Sequence, residues 1–428
     1  MSADVIVIGA GYAGLTAAAI LAHNGVEVQV FESTGHLGGR ATFDRKDGFL
    51  VDYGIHANRL AGEGAAAAAL REIGYEIDFV EMGEGLLWWE GSFVPLPTDV
   101  PGMLKTKLLS ASDKTIMVAD LARLVLANPV SKADVPLHDM VWGADRPRMA
   151  MLFKVLAGIC LVCPDARTVS AGDFAAFLKR ALKAKENVGF PRGGTSQIVE
   201  ALSSKVEENG SFSLNTRVKD IKVEKGSVVS VEAKSEISKA RAYVYAAPLQ
   251  KLSAIAEGLT QDFTARCDSI VPTAGISIDL CLSEKVSDID GLIVTPDPVT
   301  MGQFTSNIDP TTAPESKQLA TFYYPLPVET MDDRDRVEAE EKRFRGLLED
   351  MFPGIMSKIE WERALHLKMV DGFEPRVGQT SKDRPGVAVP SARNLFLAGD
   401  SVSAIGSGGD VAFNSAVEAA HSVLAFLK

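Results

Sequence analysis

The chain has 428 residues, 46% of them hydrophobic, enough to bury a sizeable core and, at this length, to form two or more subdomains. A formal charge of −12 argues against a general nucleic-acid binder, though not against a local basic pocket. Four cysteines in so long a chain do not make a disulfide scaffold, which points to a reducing compartment.

Residues 4–8, DVIVI, are a short apolar run ended by glycine, as in a buried strand. Residues 12–23 are alanine-rich and helical, stopped by Asn24-Gly25, and 26–32, VEVQVFE, form a second strand, so the chain opens on a βαβ unit. Gly9, Gly11 and Gly14 fit G-x-G-x-x-G between that strand and helix. Gly9 allows the tight turn, Gly11 lets the backbone approach a pyrophosphate, and Gly14 lets the helix lie close to the strand. The turn, Tyr12 and Ala13 included, then presents the positive helix N-terminus to an anion. Glu32 ends the second strand, 18 residues past Gly14, where a carboxylate accepts both ribose hydroxyls and repels a 2′-phosphate; Ser33 follows it. Next comes HLGGRATF, in which Gly38 and Gly39 free the backbone and Arg40 supplies a charge that can neutralise a diphosphate.

An alanine run at 65–69 predicts a helix ending near Gly74, and 86–100 a hairpin turning at Glu90-Gly91. Residues 103–186 read as mostly helical, with breaks near Pro136, Pro147 and Pro164. Within them 115–130, TIMVADLARLVLANPV, is amphipathic; a core helix is the simpler reading, and peripheral membrane contact stays open. FPRGGTSQIVEALSSKV reads as a loop and helix, 214–247 as strands, and 274–282 and 318–324 as further strands. The charged stretch 329–352 predicts a helix with a solvated face. NLFLAGD predicts a last strand, and GGDVAFNSAVEAAHSVLAFL a C-terminal helix opened by Gly408 and Gly409, followed by Asp410 and Val411. Gly399-Asp400 and this second helix N-terminus can serve the far end of a long dinucleotide, with Asp400 accepting from ribityl hydroxyls. No apolar run reaches the roughly 18–20 residues that span a bilayer, and the opening carries no charged leader or cleavage pattern. A soluble, cytoplasmic protein is expected, membrane-peripheral at most.

On these residues the chain resembles the FAD-dependent superfamily of flavin amine oxidases, phytoene desaturases and protoporphyrinogen oxidases. GFLVDYGIHANR (48–59), FPRGG (190–194), a strand valine after it, matched by Val218, and the C-terminal Gly-Asp and Gly-Gly pairs carry the resemblance. It implies an α/β fold: a Rossmann-type FAD-binding domain built from 1–84, 186–272 and 391–428, with an inserted α+β substrate domain from 85–185 and 273–390. It places FAD on the glycines, Glu32, Arg40, Val218 and the C-terminal helix, with valine meeting the adenine through its backbone. Many amine oxidases of this superfamily carry a lysine near flavin N5 on the strand matched by AGISIDLCL. Here Ser277 stands about where it would be, so the resemblance leans to the phytoene-desaturase-like branch.

The resemblance implies hydride transfer between flavin N5 and a C–C bond of an apolar, isoprenoid- or carotenoid-like substrate, in the direction of desaturation or saturation. Amine oxidation to an imine with peroxide is the alternative; a redox-neutral FAD-requiring isomerase and a flavin-free binder resembling the GDP-dissociation inhibitors come behind it. Oxygen, a quinone or another acceptor would reoxidise the flavin, since no second G-x-G-x-x-G marks an NAD(P)H domain. His56 and Tyr53 are the candidates for proton transfer or substrate contact, with a hydrogen-bonded structural role the simpler reading of His56. Trp88, Trp89 and one of Tyr323 and Tyr324, which alternate across a strand, are candidates for the substrate wall. Cys160 and Cys163 form C-x-x-C without other ligands nearby, and the histidines show no metal spacing, so no metal is expected.

Overall fold

The apolar run Val5–Ile8 is the central strand of a five-stranded sheet. Across it the order is Gly210–Ser213, Val28–Phe31, Val5–Ile8, Ala242–Tyr245 and Leu395–Leu397, and every neighbouring pair is parallel. In chain order this is 3-2-1-4-5, so the direction of winding reverses beside Val5–Ile8, where open α/β sheets leave a crevice at the carboxyl ends of their strands. Gly9, Glu32 and Gly399 all follow strands at that end. The helix Tyr12–His23 buries Ala17, Ala18 and Ala19 completely, and their small side chains let the helices Thr195–Glu207 and Gly409–Leu427 pack beside it. The structure, a computed structural model, describes residues 3–163, 165–184 and 188–428. The break expected at Pro164 and the domain boundary expected at 185/186 lie outside these described residues.

A second sheet of seven strands draws on two separate stretches of chain. Its order is Ile359–Leu367, Ala274–Leu282, Gln318–Leu326, Val299–Gln303, Ile293–Pro296, Leu86–Trp89 and Ser92–Pro95. Neighbours are antiparallel except for Ile293–Pro296 beside Leu86–Trp89. Because side chains alternate along a strand, the sheet has two distinct faces. One face carries Ile276, Ile278, Phe322 and Tyr324 and is covered by the helix Arg334–Met351, whose buried Val337, Phe344, Leu348 and Met351 form its apolar stripe. The other presents Leu87, Val294, Met301 and Tyr323 to the helices Ala111–Leu126, Pro147–Leu161 and Ala171–Ala181.

The expected hairpin turns at Glu90 and Gly91, both with positive φ (50° and 78°), as a tight two-residue turn requires. The hairpin Ile293–Gln303 and the strand Ile359–Leu367 lie outside the strands expected from sequence. The second is an edge strand whose alternate residues Glu360, Glu362 and His366 face solvent, so its apolar signal is diluted.

Candidate functional site

The glycines fall into two physical classes. Gly9 has φ 102°, and a Cβ on Gly14 would lie 1.9 Å from the Gly9 carbonyl oxygen, so the turn itself requires both. Gly38 and Gly39 have φ 96° and 58°, and Gly39 lies so close to the first turn that its Cβ would sit 3.0 Å from Gly11 Cα. The Gly38 amide donates to the Ala10 carbonyl at 2.8 Å. The HLGG loop is therefore stacked on the glycine-rich turn. Gly11 and Gly409 differ from these: neither has a positive φ, a Cβ on Gly11 would meet nothing nearer than 3.8 Å, and a Cβ on Gly409 nothing within 4 Å. They open the helices Tyr12–His23 and Gly409–Leu427, and no side chain caps either N-terminus. Two positive helix ends with clear space in front form a cradle that side chains would fill, which fits a ligand carrying phosphates.

Glu32 is buried at this end of the sheet. Its Oε2 accepts the Ala10 amide at 2.9 Å, and its Oε1 takes three donors: the Thr34 amide at 2.8 Å, the Thr34 hydroxyl at 2.9 Å and the Ser33 hydroxyl at 3.2 Å. A carboxylate has about four lone-pair sites, so Oε2, with one local donor, keeps room for a ribose hydroxyl, while Oε1 is the more occupied oxygen, the Thr34 hydroxyl also lying 3.0 Å from the His36 carbonyl. Ser33 is committed to Glu32 in the same network. Val218 begins the strand Val218–Glu224 and is buried close by, since the Thr216 amide donates to the Glu32 carbonyl at 2.6 Å.

Arg40 lies deep in the fold, yet 41% of its side chain is accessible, as happens where a group lines an internal cleft. Two of its five N–H donors are engaged within the protein. It pairs with Asp400 at 2.8 Å and donates to the Val370 carbonyl at 2.9 Å, joining two residues whose motifs imply separate duties. Asp400 also accepts the Gly372 amide at 2.6 Å, and buried Arg384, its guanidinium 3.5 Å from the Phe373 ring, donates to the carbonyls of Asp400 and Val402. Asp371 stands among these charges. Burial and the neighbouring Asp400 raise its carboxyl to about 6, against the opposing pull of Arg59 and Arg40. Sequence reasoning missed Asp371 and Arg384; the Asp371-Gly372 pair was the available signal, since a Gly372 Cβ would strike the Asp400 carboxylate at 2.4 Å.

The side chains of Asp410 and Val411, expected at the cofactor, have contacts within the protein. Asp410 pairs with Arg180 from the substrate-side helix at 3.4 Å, and Val411 is fully buried in the core. Tyr12 packs on Phe413 and edge-on to His56, with its hydroxyl buried and without a partner among the described residues. Ala13 is buried beneath the turn.

The proton-transfer candidates sit in local networks. His56 Nε2 lies 3.0 Å from the Tyr53 carbonyl; burial lowers its pKa, while the backbone of Tyr53 and Arg40 opposes that shift. A neutral ring donates through one nitrogen only, and an Nε2–H on the Tyr53 carbonyl ties the ring to its own loop. Tyr53 is covered by the Arg363 guanidinium, 3.9 Å from its ring centroid, and burial followed by a hydrogen bond with Asp44 raises its pKa. Arg363 bridges Asp44, Asp279 and the Asp52 carbonyl, so Tyr53 belongs to a structural joint. Asp52 holds the FPRGG loop: its carboxylate accepts the Thr195 amide and hydroxyl, the latter at 2.7 Å, and burial raises it to about 7.

The wall candidates split by face. Trp88 packs on Phe93, 4.7 Å between centroids, and the Tyr324 hydroxyl donates to Glu340 at 2.8 Å; both lie under the helix Arg334–Met351, away from the crevice, because strand neighbours point to opposite sides. Trp89 and Tyr323 lie on the other face with Met301, Ile55 and Val370. Tyr323 donates to the Ala274 carbonyl at 2.8 Å. Ser277, where the resemblance would place a lysine, is fully buried opposite Tyr323. Burial pushes the Cys160 and Cys163 thiols to about 12, and Cys163 points at Glu374. Among the described residues no group of three or more His, Cys, Asp or Glu could hold a metal.

The family of flavin containing amine oxidoreductases matches residues 12–424. The chain belongs to this family. It is an FAD-dependent oxidoreductase, and the cradle between the two uncapped helices fits that cofactor: the glycine-rich turn, Glu32 and the Gly399 and Gly408 end would hold it. A coproporphyrinogen III oxidase from Staphylococcus aureus is 25% identical over 78% of this chain and 80% of its own length. A hydroxysqualene dehydroxylase from Rhodopseudomonas palustris is 39% identical, but over 24% of each chain. The solved structure of an oxidoreductase from Methanosarcina mazei has the same fold, with a TM-score of 0.81, 20% identity, and coverage of 97% of this chain and 99% of that one.

Proposed function

We propose that this oxidoreductase removes two hydrogens across a C–C bond of an apolar, isoprenoid-like substrate, with saturation of such a bond as the reverse of the same reaction. The observation that carries this reading is the character of the sheet face turned toward the crevice. On that side stand the half-buried Trp89 and a Tyr323 whose hydroxyl is already committed, with neutral Ser277 in place of a lysine, over Val294 and Met301 packed beneath the helices. Such a wall excludes water and holds a hydrocarbon by burial, with few groups to recognise a polar one. FAD supplies the acceptor for a hydride. The chain's part is to orient the C–H bond and to receive the proton. Asp371 is the carboxylate placed to receive it, because none of the described residues donates to its side chain and a carboxyl at about 6 is mostly ionised at neutral pH.

A second reading, oxidation of an amine to an imine with release of peroxide, draws on the same Asp371, which would attract a cationic amine. The two separate in one assay. Holoprotein is offered an isoprenoid hydrocarbon, a coproporphyrinogen and a panel of amines, with flavin reduction and peroxide as readouts. Reduction by the hydrocarbon with loss of two hydrogens supports the first reading; rapid peroxide release with any amine, and none with the hydrocarbon, replaces it with the second.

A further inference from the structure

Eight of the eleven large hydrophobic residues that the described structure exposes lie between 100 and 188, in the helical part of the substrate-side segment. The helix Ala111–Leu126 shows why. It buries Met117, Leu121 and Leu124 against the core. Its opposite, exposed stripe is Thr115, Val118, Ala122 and Leu126, at helical spacing and without a single charge. A surface helix ordinarily carries its charges on that stripe. Leu126 and Val130 are 84% and 75% exposed, and Trp142, 64% exposed, stands beside the same helix with the Arg123 guanidinium 4.2 Å from its ring centroid. The helices Val100–Lys105 and Ala171–Ala181 pack against this helix and add exposed Leu104 and, just past the second, Leu182. The exposed apolar side chains thus sit on one helix and on elements packed against it.

The charge around the patch is also unlike the rest of the chain. Residues 100–188 hold 13 Lys and Arg against 8 Asp and Glu, in a protein of net charge −12. Three of its eight acids are engaged: Asp113 with Arg146, Asp134 with Lys382, and Asp120 buried as acceptor for the Trp142 and Gly143 amides. Lys105, Lys107, Lys114, Lys132 and Lys183 are in no ion pair among the described residues. An apolar stripe with a tryptophan, rimmed by unpaired lysines, is the arrangement by which a helix lies in a lipid interface. A protein partner would need an apolar surface with an acidic rim; an anionic bilayer offers both features at once.

We infer that the helical face centred on Val118 and Leu126 docks the protein on an anionic lipid bilayer, with the lysines against the headgroups. This does not depend on the substrate reading above. The test uses the full-length holoprotein and sedimentation with phosphatidylglycerol–phosphatidylcholine vesicles, against vesicles of phosphatidylcholine alone. Wild type binds the anionic vesicles, and added salt weakens the binding. Val118→Glu and Leu126→Glu each lower the partition coefficient at least about tenfold, and Lys107→Gln or Lys114→Gln about fivefold each. FAD content and melting temperature stay at wild-type values, since these side chains are exposed. No binding to anionic vesicles, or binding that the two glutamate variants leave unchanged, overturns the inference. A concentration-dependent dimer broken by Leu126→Glu, without vesicle binding, also overturns it and assigns the patch to a second copy of the chain.

Discussion

Gly409→Ala separates the demands of the fold from those of the cofactor. In the protein alone the added methyl meets nothing within 4 Å, and the backbone there is not left-handed. Alanine in place of glycine within a helix is worth up to about 1 kcal/mol, and less in the first turn. With an unfolding entropy of roughly 2 cal/mol/K per residue, a chain of this length should shift its melting temperature by about 1 °C or less, upward if at all. The methyl points into the space before the helix N-terminus. If FAD lies there, the variant suffers the overpacking cost of about 1–3 kcal/mol, or roughly 5- to 150-fold weaker binding. The assay is the ratio of FAD to protein after extensive dialysis, with the dissociation constant from titration of apoprotein and the apoprotein melt as control. Wild-type flavin affinity in a folded variant would refute the placement of the cofactor against this helix. A large drop in the apoprotein melt would refute the claim that Gly409 is free of steric demands.

Gly14→Ala should behave in the opposite way, because its Cβ would overlap the Gly9 carbonyl oxygen: apoprotein stability and flavin should fall together, and an intact apoprotein melt would contradict the packing described. Arg40→Ala removes a partly exposed ion pair with Asp400, so it should cost the apoprotein only about 1 kcal/mol while flavin dissociates at least about tenfold faster; stoichiometric flavin after dialysis would refute the role of Arg40 in the cleft. Asp52 has a folded pKa of about 7, above its unfolded value of about 3.9. The native state therefore holds the extra proton between those values, and the contribution of Asp52 to stability falls as pH rises from about 4 to 7. Asp52→Asn should melt with a flatter dependence on pH across that window, and an unchanged slope would show that Asp52 does not titrate there. Asp371→Asn should lower kcat and remove an acid limb near pH 6 from the rate profile, below which the wild-type carboxylate is protonated; a profile that keeps this limb assigns the proton to another group.

The FAD-binding unit was legible because each of its parts is local. A glycine-rich turn, a carboxylate at a strand end and a double glycine announce themselves within a few residues, and the structure stacks Gly39 on Gly11. What the residues do to one another was not legible. Arg40 and Asp400 are 360 positions apart, and nothing in either motif says that they pair. Trp88 and Tyr324 looked like substrate-wall candidates beside Trp89 and Tyr323, yet strand alternation sends each neighbour to the opposite face, and only the partner of each face decides which one matters. His56 drew attention by residue type, and only the structure shows its Nε2 held on the Tyr53 carbonyl. Asp371 went unnoticed because its loop carries no pattern beyond an Asp-Gly pair; its character comes from burial beside Asp400, Arg59 and Arg40.

Hydride removal from a hydrocarbon is tested most directly by anaerobic mixing of the yellow holoprotein with an isoprenoid hydrocarbon dispersed in vesicles or detergent. The flavin absorbance should bleach with one equivalent of substrate, and the product should have lost two hydrogens. Flavin that stays oxidised with every hydrocarbon but bleaches with an amine would contradict the proposed reaction.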